Sequence, residues 1–106
     1  MGSIELSVTA TALIVALCLD YPRRSSAIAK GRLSRRTDME FRYINSRMYS
    51  AAADIVGDEL AELYIKELGE KIGYARSSID DVSEVTYKNN KRRVKEAIAK
   101  ALYLAE

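Results

Sequence analysis

The chain has no histidine and no tryptophan, and it has only one cysteine (Cys18), one proline (Pro22) and one phenylalanine (Phe41). Without histidine, no Ser-His or Cys-His catalytic pair can form. Without a second cysteine there is also no intrachain disulfide and no Cys/His zinc site. A single unpaired thiol fits a reduced, cytoplasmic setting. Breaks are scarce as well: five glycines and one proline in 106 residues favour long helices. That length is one ordinary domain, so a single helical domain over residues 1–106 is expected. With 48% hydrophobic and 30% charged residues, the composition is that of a globular rather than a disordered chain.

The longest apolar run, residues 8–19, is bracketed by Glu5 and Asp20. No basic residue precedes it, as a secretory signal would require, and it is shorter than the about 20 residues needed to span a bilayer. A buried helix is the expectation, with no membrane partner.

Ser7 can cap this helix, which should run to about residue 19 with Ala10, Leu13, Ile14, Leu17 and Tyr21 on one face. Val8, Val15 and Leu19 lie on the other side. A helix apolar almost all round needs cover, so it is either central to the domain or the seam of a homo-oligomer that charge at Leu13 or Leu17 would disrupt. Pro22 suits the first turn of a short second helix over 23–30, with Gly31 just past its end. Thr37 and Glu40 have capping-box spacing for a long helix to about residue 56, striped by Phe41, Ile44, Met48, Ala51, Ala52 and Ile55. Asp58 can cap the next helix, which carries Leu60, Ala61, Tyr64 and Leu68 and stops near Gly69. Residues 70–85 allow one short helix. A final helix over about 85–104 has the stripe Val94, Ala97, Ile98, Ala101 and Leu102. The fold class expected is therefore all-α, a bundle of five or six helices without strands.

The net charge of +2 conceals strong segregation. Residues 22–47 carry eight basic against two acidic side chains, residues 48–86 three basic against nine acidic, and residues 87–106 six basic against two acidic. Two basic blocks flank an acidic one, a pattern that bears on partners more than the total does. The arginine block from Arg23 to Arg47 could contact a phosphate backbone or pair with the acidic segment 48–86.

Catalytic and cofactor signatures are weak. The glycines of GEKIG lack the following Lys-Ser/Thr of a phosphate loop, and Asp80-Asp81 read as turn and helix-start chemistry beside Ser83 and Glu84. No enzyme activity, metal or cofactor is expected. Cys18 reads as a small buried hydrophobe, and Tyr43, Tyr64 and Tyr74 as core-edge residues.

The final helix is different. A Ser or Thr starts it, its first turns are polar and basic, and its later turns form an apolar stripe able to dock on the body. Such a helix could place its N-terminal half in the major groove, with Lys88, Asn89, Lys91 and Arg92 reaching phosphates and base edges. Residues 82–102, VSEVTYKNNKRRVKEAIAKAL, resemble the last helix of sigma-factor region-four-like domains. With the helices expected over 37–56 and 58–68, the chain over about 37–104 resembles phage late-gene transcription regulators of the RinA and ArpU type. The resemblance implies a C-terminal helix-turn-helix-like unit, a phage or prophage origin, and DNA binding through Ser83, Thr86, Lys88, Asn89, Lys91 and Arg92. A second register, with its turn at 73–79, would instead present Asp80, Asp81 and Glu84 to phosphates that repel them, so the first register is preferred. The alternative from a different class is a non-enzymatic helical assembly protein, joined through its apolar first helix.

Overall fold

Three serines start three of the helices in the computed structural model, which describes residues 6–104. Ser7 accepts the Ala10 N–H at 3.0 Å and opens α1 (Val8–Lys30). Ser34 accepts that of Thr37 at 3.2 Å and opens α2 (Arg35–Val56), and Ser83 that of Thr86 at 3.1 Å, opening α4 (Glu84–Ala101). Each satisfies one of the N–H groups that a helix start leaves without a partner. Between them, α3 (Asp58–Gly69) follows α2 after Gly57 alone, and a 3₁₀ turn (Tyr74–Arg76) interrupts the connection to α4. No strand occurs among the described residues.

The described residues form four α-helices rather than five or six: the expected helices on either side of Pro22 are one, and the short helix allowed over 70–85 is only the 3₁₀ turn. The expected break at Pro22 is absent: α1 runs through the proline as one 23-residue helix. A proline inside a helix removes one i to i−4 hydrogen bond and crowds the carbonyl four residues back, here that of Cys18. Side chains bond other carbonyls on either side of it. Arg24 donates to the Leu17 carbonyl at 2.7 Å, and Asn45 of α2 donates to the Tyr21 carbonyl at 3.2 Å. The sequence pattern around residues 34–40 is equally ambiguous: Ser34 rather than Thr37 is the cap, so α2 begins earlier than the Thr37/Glu40 spacing predicts.

Gly57 makes the one-residue joint between α2 and α3 possible, because its φ of 89° and ψ of 162° belong to a region essentially restricted to glycine. Gly69, at the end of α3, serves closeness instead. A Cβ there would collide with the backbone of Cys18 and Leu19, so α1 and α3 meet backbone to backbone at this point. All four helices touch one another, around a core in which Ile14, Cys18, Met48, Tyr64, Ile65, Tyr87, Val94 and Ile98 are fully buried. Burial pushes the Cys18 thiol up to about 12, so it stays protonated and packs as a small apolar residue. No helix among the described residues is long and apolar enough to cross a membrane.

Residues 70–83, unreadable from periodicity, are organised by one buried carboxylate. Glu67 accepts from the Ser77 hydroxyl at 2.6 Å and the Ser78 N–H at 2.8 Å, and lies 2.7 Å from the Tyr87 hydroxyl. The α3 carboxylate thus holds both the connection and α4. Burial alone would raise its pKa, but these hydrogen bonds and the nearby charge of Lys91 outweigh it and hold Glu67 below the ordinary carboxylate value.

Candidate nucleic-acid interface

Helix α4 has an inner and an outer face. Tyr87, Val94, Ile98 and Ala99 are buried, and Asn90 donates to the Tyr64 hydroxyl at 3.2 Å, so the inner face is fixed to α3 and the core. Tyr64 and Tyr87 rings, with centroids 5.8 Å apart, add a tilted aromatic contact. Outward, at helical spacing, point Val85, Lys88, Asn89, Arg92 and Arg93, all exposed. Their side chains stand on a helix that cannot easily roll.

Of the six residues expected to contact DNA, this face gathers Thr86, Lys88, Asn89 and Arg92. Ser83 sits at its edge, with its hydroxyl committed to the cap and 3.0 Å from that of Thr86. Lys91 is turned inward: its ammonium donates to the Ile72 carbonyl at 2.7 Å and lies 5.2 Å from the centre of the Tyr87 ring. The Ile72 carbonyl of the connection 70–83, which also lies 3.0 Å from the Tyr87 hydroxyl, and the attraction of Glu67 hold Lys91 there. Burial lowers the Lys91 pKa, and the Glu67 charge partly opposes that. Sequence reasoning misses Arg93, although its place one residue after Arg92 puts it on the same outer half of the helix.

On the outer face, among the described residues, Lys88 pairs with Glu84 at 2.8 Å and Arg92 with Glu96 at 3.5 Å. Both are four residues apart; Lys88–Glu84 is exposed at both ends, where such pairs contribute little and yield readily to a competing phosphate, whereas Glu96 is largely covered. The arginine block behaves similarly. Its ion pairs among the described residues run to Asp20, Asp38 and Glu40 on the same helices, not to the acidic segment 48–86. Among the described residues no ion pair joins the two blocks, although Arg24, Arg47 and Glu67 are individually committed to bonds inside the fold.

Between α3 and α4 the chain takes residues 70–83, where a helix-turn-helix has a turn of about three or four residues. Among the described residues no group of His, Cys, Asp or Glu is placed to hold a metal ion. No family model, curated protein or solved structure matches this chain, so its role has to be read from the side chains themselves.

Proposed function

We propose that the chain binds duplex DNA through the outer face of α4, as a small helical transcription regulator of the phage or prophage kind. The observation that carries this reading is the two-sided build of α4. Cations and an amide (Lys88, Asn89, Arg92, Arg93) project from a helix whose opposite side is locked by Tyr87, Asn90 and Val94. Lysine and arginine supply affinity by releasing counterions from phosphates, and Asn89 and Arg92 have the donor geometry to read adenine and guanine edges. On this reading α3, the connection and α4 form a widened helix-turn-helix-like unit. The test is fluorescence anisotropy on mixed duplex fragments at two salt concentrations, with the Lys88→Ala, Arg92→Ala, Arg93→Ala triple variant alongside. Salt-sensitive binding that the triple variant loses while keeping its helicity is expected. Unchanged binding by that variant, or no binding by the parent at low salt, overturns the reading.

A specific observation favours a second reading, in which the chain assembles with copies of itself. Val8, Ala12, Val15 and Leu19 follow each other at four, three and four residues along α1 and line a shallow hollow bordered by Gly69 and Lys71. This is the spacing of a coiled-coil seam, self-complementary to a second copy of the same helix. Val8 is 88% and Leu19 59% exposed, which leaves both available to a partner helix. The two readings are compatible, since a dimer could present two α4 helices.

A further inference from the structure

At the far end of α4, away from its outward cations, Arg47 of α2 lies between two tyrosines. Its guanidinium carbon is 5.3 Å from the centre of the Tyr43 ring and 5.6 Å from that of Tyr103. The group is held in place: Arg47 donates to the Ala101 carbonyl at 3.0 Å and to the Tyr103 hydroxyl at 3.2 Å. Both rings remain accessible, Tyr43 51% and Tyr103 79% exposed. Two exposed cations are near: Lys100 of α4 lines a hollow with Arg47, and Arg42 of α2, next to Tyr43, pairs with Asp38 at 2.8 Å on the surface.

The backbone adds an independent observation. Tyr103 has φ of 60°, the left-handed region that a glycine would occupy without strain, and it closes the helix end with Leu104 N–H donating to the Ala99 carbonyl at 2.7 Å. A bulky ring is thus kept at a position that backbone preference assigns to glycine. Strain of this kind is retained where the side chain has a task.

We infer that Tyr43, Arg47 and Tyr103 form a stacking platform for an unpaired base of single-stranded nucleic acid, with Lys100 and Arg42 flanking its phosphates. Two exposed aromatic faces around a fixed guanidinium offer planar surfaces to a base, and every base has a face to stack. A base-paired duplex hides those faces, so the platform selects single strands. The inference shares the ligand class of the α4 reading but uses a different surface.

Because the chain contains no tryptophan, Tyr103→Trp supplies a unique fluorophore at the platform. An oligothymidylate of about 15 nucleotides should quench this tryptophan, whereas inorganic polyphosphate, a polyanion without bases, should not. Tyr103→Gly, which relieves the left-handed strain, should keep or raise the melting temperature and yet weaken oligothymidylate binding by about 5- to 150-fold, the range that removal of one stacked base brings. Equal quenching by polyphosphate, absence of quenching, or full oligonucleotide affinity in Tyr103→Gly overturns the platform. If quenching fails while duplex binding persists, only the platform falls. If quenching is seen and the α4 triple variant still binds duplex normally, the platform stands and the α4 reading falls.

Discussion

Arg24 Nε donates to Asn45 Oδ1 at 2.6 Å across the α1–α2 interface, and the arginine that does so is only 2% exposed. The same guanidinium also reaches the Leu17 carbonyl at 2.7 Å, Asp20 at 3.1 Å and the Met48 sulfur at 3.3 Å, while Asn45 donates to the Tyr21 carbonyl and to Ser25. These bonds surround Pro22, where α1 stays continuous. Asn45→Ala removes an acceptor from a buried cation and a donor from a buried carbonyl, and is expected to cost about 1.5–3 kcal/mol in urea unfolding. Arg24→Lys should not restore stability, since one ammonium cannot reproduce the forked set of donors. A cost below about 0.5 kcal/mol for Asn45→Ala, the scatter of ordinary surface changes, would show that the network is not what secures the helix.

What the sequence discloses and what it hides divide along physical lines. Helices with a clean apolar stripe and a Gly or Ser boundary, such as those ending at Gly57 and Gly69, are legible because local periodicity and tertiary packing agree. Pro22 misleads because its local preference is overruled by side chains distant in the chain: Asn45 shows nothing in sequence of its bond to Tyr21. Lys91 misleads for the same reason. Its neighbours in sequence are Asn90 and Arg92, but its partner in space is the Ile72 carbonyl, in a connection with no periodicity to read. The platform is half visible in the sequence, as Tyr43 and Arg47 at four-residue spacing on one helix; Tyr103 joins them only through a left-handed turn that no propensity predicts.

Glu67 makes stability depend on acid. Its folded-state pKa lies below the usual 4.5, so its contribution is complete above that value and is lost as pH falls through the lower folded one. Glu67→Gln should flatten the acid limb of a stability-versus-pH curve and cost about 1–3 kcal/mol near neutral pH, because the amide presents donors to groups that are themselves donors. Part of the limb should persist, since the hydrogen bond from Arg23, foremost, lowers Asp20 as well. An acid limb identical in parent and variant would place the titrating group elsewhere.

Gly69→Ala should reverse the usual sign of that substitution. In an open helix position, alanine stabilises relative to glycine by up to about 1 kcal/mol. Here the new methyl group meets the backbone of Cys18 and Leu19, which cannot yield as a flexible side chain would. Overpacking of this sort costs about 1–3 kcal/mol, so thermal unfolding should begin earlier in the variant. A melting temperature at or above that of the parent would mean that α1 and α3 separate at little cost.

Lys91 and Arg92 are adjacent but should answer differently. Arg92→Ala removes an outward cation and with it one phosphate neighbour, so the slope of log affinity against log salt should become shallower by about 0.9. Lys91→Ala removes a charged donor from the Ile72 carbonyl and should cost about 1 kcal/mol of stability, with the salt slope retained. The pair therefore separates inner from outer face on one helix turn. The opposite assignment, a shallower slope for Lys91→Ala and an unchanged one for Arg92→Ala, would require α4 to be rotated about its axis.

The last expectation concerns α1. Its buried side, Ile14, Cys18 and Tyr21, is covered by the other helices, and Leu17 packs partly against them, so charge at Leu17 tests folding rather than association. Leu13 is 47% exposed but lies on the flank of the helix, away from the seam. The residue that isolates the seam is Leu19, which is exposed and in line with Val8, Ala12 and Val15. If two copies pair along it, Leu19→Asp places like carboxylates opposite apolar neighbours or each other, whereas in a monomer it merely adds a solvated charge. Sedimentation equilibrium should show the parent as a dimer and Leu19→Asp as a monomer of equal helicity, while Ile14→Asp, which buries a carboxylate in the core, should lose helicity outright. A parent that stays monomeric up to hundreds of micromolar would leave the exposed stripe as surface and remove self-assembly through α1.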